Sequence, residues 1–427
     1  MSEMISKPQQ RCFISARTTL KRGVVPVLVV FLSVCALGLI LRFVRVVTVF
    51  WILAMETSPD AWLDNLVGGH EAIIAAMKGF GLLLVGVIGL RSGWRRDRYN
   101  PGFAFAAMFL AGLMHGLCPG LSLLASLRSL IGSAGPFMFS FVRLPPEIIR
   151  DTINAAIFGP TVTVGFGAVL ALTGLDQMYG VEQGAMRLGA SGEAPFLAGF
   201  ALIAVYAGLM EWLRAPCRRQ AVMLGVNLVI ILLTGARTPL ALALLVTLCV
   251  LAAQRRVMAL ACFGALAAAA VMCFSALSFL RVFDLVKLGE ASDLSNRDLV
   301  WPYFIGAIRE SPWFGWGVGA GKVIIPVTSR LTALIGTNAA HDEYLRIGSE
   351  GGLIGLFLLI ALMFLWMSHG SRHLPPPERW LVRLVFAAFA LHSMTDNTLI
   401  ATTSSIFFMW ISVVFAAGEH GPAGQAA

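Results

Sequence analysis

Charge is what this 427-residue chain has least of. Only 13% of its residues are Asp, Glu, Lys or Arg, while 58% are hydrophobic. A soluble chain carries roughly a quarter charged residues, so a soluble enzyme is excluded. Cysteine shows no pattern. Cys12, Cys35, Cys118, Cys217, Cys249, Cys262 and Cys273 are scattered, mostly inside apolar segments, without CxxC or metal-ligand spacing. They read as buried structural thiols. A cleavage site of small residues is also missing after the first apolar run. Lys7, Arg11, Arg17, Lys21 and Arg22 therefore precede an uncleaved first span with its N-terminus inside.

What the chain has is apolar length. Many runs approach the 18–20 residues needed to cross a hydrocarbon core of about 30 Å. The expected fold is an all-α polytopic integral membrane protein. Its twelve spans fall near 24–41, 72–91, 101–118, 124–142, 152–173, 196–213, 219–235, 238–253, 257–280, 351–368, 380–397 and 400–417. Residues 42–55, interrupted by Arg42 and Arg45, read as an interfacial or re-entrant extension of the first helix, because a thirteenth span would invert everything after it. The net charge of +9 does not indicate nucleic acid, since the basic residues cluster between apolar runs.

Those clusters set the orientation. "RSGWRRDR" (Arg91 to Arg98), "RAPCRR" (Arg214 to Arg219), Arg255–Arg256 and "SRHLPPPERW" (Ser371 to Trp380) all fall on the side of the N-terminus. The stretch from Met55 to Glu71, on the other side, has four acids and no Lys or Arg. Both termini are expected in the cytoplasm. One long connection, 281–350 between spans nine and ten, is expected outside it. Connections of this length are usually functional or disordered. The Trp and Tyr content (Trp301, Tyr303, Trp313, Trp316, Tyr344) opposes disorder here.

Four basic residues map to the outer face. Arg187 lies between spans five and six, Arg237 in the tight turn "LLTGARTPLALALL", Arg297 early in the long loop and His341 at its end. Each has a structural reading beside the functional one. Arg187 at a helix end fits snorkelling to head groups, Arg297 fits a local pair with Asp293 or Asp298, and His341 fits a helix cap. Arg237 is the hardest to explain structurally. The outer side disfavours Arg, its turn is too short to leave the membrane surface, and an unpaired charge at that depth marks a functional site. Trp301 follows Arg297 by one helical turn and shares its face. Gly315, Gly317, Gly319 and Gly321 alternate in "ESPWFGWGVGAG", which opposes a helix and permits close approach of backbone to a ligand. The run neither follows a strand nor opens a helix, so it is no dinucleotide fingerprint.

Three stretches, "LLTGARTPLALALL", "NRDLVWPYFIGAIRESPWFGWGVGAG" and "AHDEYLRIGSEGGLIGLFLLIAL", in this order, resemble the O-antigen ligase/polymerase family of bacterial envelope enzymes. The resemblance covers about residues 185–370. It divides the chain into a cytoplasmic tail 1–23, N-terminal helices 24–185, a ligase/polymerase-like membrane domain 186–370 that includes the loop 281–350, and C-terminal helices with a cytoplasmic tail 371–427. It implies a bacterial inner-membrane glycosyltransferase with its site on the periplasmic face. The donor would be a saccharide on a polyprenyl diphosphate, and the acceptor a saccharide or lipid-A core. It further implies paired Arg on the diphosphate and a His near the acceptor. These roles fall on Arg237, Arg297 and His341, with Arg187 more loosely placed. Asp342 stands where the family often has Asn, and Ala236 where it often has Ser.

The chemistry suits that reaction. A diphosphate is already a good leaving group, so the enzyme mainly stabilises the charge building on it. Guanidinium stays ionised and forks onto phosphate oxygens. The outer side offers no DxD pair or His/Asp cluster, so neither metal nor cofactor is expected. An imidazole suits taking the acceptor's proton. Glu343 would orient His341 or help the deprotonation, and Glu350 would cap the tenth helix. Lys78, costly inside span two, reads as a third phosphate contact or a snorkelling residue. Asp396 is a candidate partner for an outer-face Arg. The competing function is a secondary transporter of a small anion, which would predict polar or Gly/Pro-broken helices at mid-membrane, whereas spans seven to ten are nearly free of mid-span charge and carry few breakers. Ligase and polymerase take the same donor and differ only in acceptor.

Overall fold

The computed structural model describes residues 38, 41–67, 70–182, 185–256, 297–335 and 337–420. The expected spans 24–41 and 257–280, and the loop up to residue 296, fall almost wholly outside them. The chain divides into two compact units, Met1–Val47 and Thr48–Ala427. The account below concerns the second.

Helices occupy the other expected spans. In order they are α1 (Val44–Glu56), α2 (Pro59–Val67), α3 (His70–Ser92), α4 (Gly102–His115), α5 (Leu123–Ala134), α6 (Pro146–Thr173), α7 (Ala194–Arg214), α8 (Arg218–Thr234) and α9 (Arg237–Ala253). Then follow α10 (Arg297–Glu310), the short α11 (Arg330–Ile335), α12 (Glu343–Gly370), α13 (Pro376–His392) and α14 (Thr402–His420). Among the described residues, five helices are long and apolar enough to cross a membrane: Ala72–Ser92, Pro146–Thr173, Ala194–Arg214, Glu343–His373 and Thr402–His420. Gly102–His115 and Arg237–Ala253 are shorter apolar helices.

α7 and α14 form the centre of the bundle. α7 packs on α6, α8, α9, α13 and α14. Its small residues, Ala198, Gly199, Ala201, Ala204 and Ala207, are what allow close approach from several sides, as usual for helices in lipid. On α14, Phe407, Phe408 and Trp410 build an aromatic cluster with Phe386, Phe389 and Trp366. Trp366 is buried and donates its indole N–H to Asp97 at 2.8 Å.

Two features depart from the all-helical expectation. Between α6 and α7 the chain forms a hairpin, β1 (Tyr179–Glu182) paired antiparallel with β2 (Ala185–Leu188). It carries Arg187. The second departure is at the start of the tenth span. α12 begins at Glu343, capped by the Asp342 carboxylate on the Leu345 amide at 3.0 Å. The cap expected of Glu350 is therefore corrected to Asp342, and the helix takes in the last part of what reads as loop.

α12 then breaks at Gly352, where φ is 61°. The break frees backbone groups that must find partners, and the Gly-rich segment supplies them. The Trp316 and Gly317 amides donate to the Ser349 and Glu350 carbonyls, both at 2.9 Å. In return the Leu353 and Ile354 amides donate to the Pro312 and Trp313 carbonyls, at 2.8 and 3.2 Å. Gly315 has φ of 67°, and a Cβ there would meet the Glu350 carbonyl carbon at 2.5 Å. The close approach at Gly315 is thus to α12, where the sequence pattern suggested a ligand.

The rest of the long connection packs as a small unit. Val300, Phe304, Ile325 and Ala340 are buried together, with Ile324, Leu331 and Leu345 against them. α10 lies along the first half of α12, where Gly348 admits the Ile308 side chain.

Candidate functional site

The segment before α12 places His341 by two constraints. The Trp301 indole donates to the Ala340 carbonyl at 3.0 Å. Asp342 caps the helix one residue later. Between them His341 takes φ of 48°, a left-handed conformation that a side chain seldom adopts. Such strain persists only where the surroundings enforce it, and it gathers at functional positions.

The imidazole is one-third exposed. Its Nδ1 faces Asp396 Oδ1 at 3.7 Å, and its Nε2 lies 3.3 Å from the Thr337 hydroxyl. Asp396 also faces His392 Nε2 at 3.9 Å. The carboxylate therefore stands between two imidazoles, on the turn that joins α13 to α14.

Arg297, the first residue of α10, reaches the same place. Burial pushes its guanidinium below the ordinary range, against the opposing pull of Asp396 and Asp342. Burial likewise raises Asp342, against the pull of the Leu345 and Tyr344 amides and of Arg297. Among the described residues, the buried Arg297 Nε meets no hydrogen-bond partner. An ionised fork with a buried donor left over is what an anionic ligand would satisfy.

Arg237 opens α9. Gly235, left-handed at φ 68°, ends α8, and Ala236 is the N-cap of α9. Pro239 fits the first turn because that turn needs no N–H there. Thr238 touches Thr395 through their hydroxyls at 3.3 Å, so the N-terminus of α9 meets the turn that holds Asp396. The positive end of a helix thus meets the turn that His341 and Arg297 also reach, with Arg237 as the first residue of that helix.

The other two predicted residues lie elsewhere. Arg187 is 5% exposed, and its Nε donates to the Thr234 carbonyl at 2.8 Å. It braces the end of α8, behind the turn that presents Arg237. Glu343 is 2% exposed and is bonded to Arg346 and to the Leu399 amide. Arg346 also holds Glu350 at 2.9 Å. This buried triad anchors α12 to the Asp396 turn through Leu399. The carboxylate that faces His341 is Asp396, not Glu343.

Sequence reasoning named Asp396 only as a partner for an Arg, and did not name His392 or Arg346. The signal available for Asp396 was an acid near the outer end of an apolar span; its pairing with His341 is a tertiary fact.

A cavity of about 600 Å³ lies on the other side of Ala339 and Ala340. It runs between α3 and α5 and is closed by Gly319–Lys322 and the first half of α12. Lys78 lines it and donates from Nζ to the Ile400 carbonyl at 2.6 Å. An apolar groove of about 340 Å³ separates α12 from α13, with Glu343 and Tyr344 among its lining residues.

Residues 221–360 match the family model described as O-Antigen ligase. The match contains Arg237, Arg297 and His341; Lys78, Arg187 and Asp396 lie outside it. No curated protein matches the chain. The match bears out the resemblance seen in the three motifs, and it supports a role in O-antigen or polysaccharide assembly for a multi-pass bacterial membrane protein.

Proposed function

We propose that the chain is a glycosyltransferase of the bacterial inner membrane. It moves a saccharide from a polyprenyl diphosphate to an acceptor hydroxyl at the periplasmic face, as ligase or polymerase, without a metal. The observation that carries this reading is the meeting of His341, Asp396 and Arg297 beside the N-terminus of α9, within and next to the matched stretch.

Each group has a task in that reaction. The Asp396 carboxylate, 3.7 Å from Nδ1 of His341, favours the proton on that nitrogen by its charge and so leaves Nε2 as the base. Thr337, now 3.3 Å from Nε2, marks the place of the acceptor hydroxyl. As that hydroxyl attacks the anomeric carbon, its proton passes to Nε2. The bond from the anomeric carbon to the diphosphate oxygen breaks, and the diphosphate leaves with the electron pair. Arg297 and Arg237 stabilise its charge in a partly dry site, where fixed cations count for more than in water. Attack opposite the leaving group inverts the anomeric centre. The apolar groove beside α12 suits a lipid chain.

Turnover and donor binding of the parent, His341→Ala and His341→Gln test this. General-base catalysis contributes about 10²–10⁴-fold. His341→Ala is expected to bind a polyprenyl diphosphate normally and to transfer slowly. A His341→Gln enzyme of near-parent rate would sink the base role.

A further inference from the structure

The cavity between α3 and α5 is cationic, yet no step above uses it. Lys78, Arg128 and Lys322 line it. The acid among its lining residues, Glu350, is bonded to Arg346. The Lys78 ammonium has three donors, and the described residues account for one, on Ile400. Three further polar oxygens on its wall are buried and have no hydrogen-bond partner among the described residues: Ser129 Oγ, Ser133 Oγ and Asn397 Oδ1. Buried polar groups left without partners are uncommon and call for an explanation. The serine hydroxyls and the Lys78 ammonium can donate to phosphate oxygens, while Asn397 Oδ1, an acceptor, is satisfied by a hydroxyl, so a phosphate-bearing ligand with a free hydroxyl would satisfy them together.

The mouth of the cavity shows what carries that anion. Leu124, Leu127 and Ile131 of α5 line it and are exposed, at 69%, 41% and 40%. This apolar rim suits the hydrocarbon chain of a lipid whose head group sits at the Lys78 end. The cavity is also separate from the Arg237–Arg297 site. Its walls include Ala339 and Ala340 but none of Arg237, Arg297 and His341. His341, next after Ala340, therefore stands at the boundary between two cationic places.

Resting on the glycosyl-transfer reading, we propose that this cavity binds the phosphate head group of the second lipid-anchored substrate, the acceptor, while Arg237 and Arg297 hold the diphosphate of the donor. Two chemistries share such a head group: another isoprenoid diphosphate, as a polymerase needs, or a phosphorylated glycolipid, as a ligase needs.

The test counts bound lipid. Full-length protein in nanodiscs is titrated with farnesyl diphosphate, and bound copies are counted by native mass spectrometry. The parent is expected to bind two equivalents. Arg128→Gln with Lys322→Gln, both exposed and so tolerant of change, should weaken one of them by about 10–100-fold, the range for loss of charge-assisted hydrogen bonds, and leave the other. Arg297→Lys should weaken the other and leave the first. Adding lipid A should displace one equivalent from the parent if the acceptor is a phosphoglycolipid; retention of both identifies an isoprenoid diphosphate acceptor. One equivalent in the parent, lost in the Arg128/Lys322 variant and kept in Arg297→Lys, overturns the second site and moves the donor into the cavity. Two equivalents unchanged in the Arg128/Lys322 variant overturn it as well. No binding at all by the parent removes the glycosyl-transfer reading with it.

Discussion

Arg187 Nε donates to the carbonyl of Thr234 across 2.8 Å, so a hairpin after α6 holds the last turn of α8. The final carbonyls of a helix lack partners within it, and a cation there also meets the negative end of the helix. The turn thus fixed leads through Gly235 and Ala236 to Arg237.

From this relationship Arg187 and Arg297 should respond differently to the same substitution. Arg187→Lys keeps a charged donor for Thr234 and is expected to retain most transfer activity. Arg297→Lys keeps the charge but loses the fork, and turnover should fall by about 10²-fold or more, in line with loss of a group that stabilises transition-state charge. Folded yield of Arg297→Lys should match the parent. Steady-state transfer and thermal melting of the two variants decide it. Near-normal turnover in Arg297→Lys with none in Arg187→Lys would put the donor at Arg187.

Asp396 acts through His341 and should therefore change rate and not binding. Asp396→Asn preserves shape and removes the carboxylate. It is expected to lower kcat by about 10–10²-fold, a share of the 10²–10⁴ that general-base catalysis supplies, with the KM for donor unchanged. His392→Gln, which removes the second imidazole on the same carboxylate, should cost much less. An Asp396→Asn variant that raises KM and spares kcat would make the residue a binding group.

The triad of Glu343, Arg346 and Glu350 should be a matter of folding. Removing one member of a buried ion pair typically costs about 3–5 kcal/mol, because a charge is left in the interior. Arg346→Met strands two carboxylates, so melting should drop sharply. Adding Glu343→Gln and Glu350→Gln to Arg346→Met should recover much of the loss. If the triple variant melts no higher than Arg346→Met, the cations near the triad matter more than the pairing within it.

The helices were legible because hydropathy is a local property, and the membrane demands it in continuous runs. Arg237, Arg297 and His341 could be singled out because basic residues are unexpected between apolar spans on the side that the Lys/Arg bias assigns to the outside. What could not be read was pairing across the chain. Nothing beside Asp396 announces His341, nor anything beside Lys78 the Ile400 carbonyl. Glu343 sits two residues from His341 in sequence, which suggested a partnership, but the helix that starts between them turns it inward to Arg346. The glycines of 315–321 were visible as a pattern. That Gly315 faces the broken turn of α12, while Gly319 and Gly321 face a cavity, depends on tertiary packing.

The break at Gly352 divides one helix between two tasks. Below it, Leu353 to Gly370 belongs to a helix long and apolar enough to cross a membrane. Above it, Glu343 to Gly351 is locked to the Asp396 turn through the Leu399 amide. The Pro312–Gly317 segment bonds to both sides, at Ser349 and Glu350 and again at Leu353 and Ile354, and so splints the break. The spacing of His341, Asp396 and Arg297 is thereby tied to the apolar half of the helix through one clasp of four hydrogen bonds.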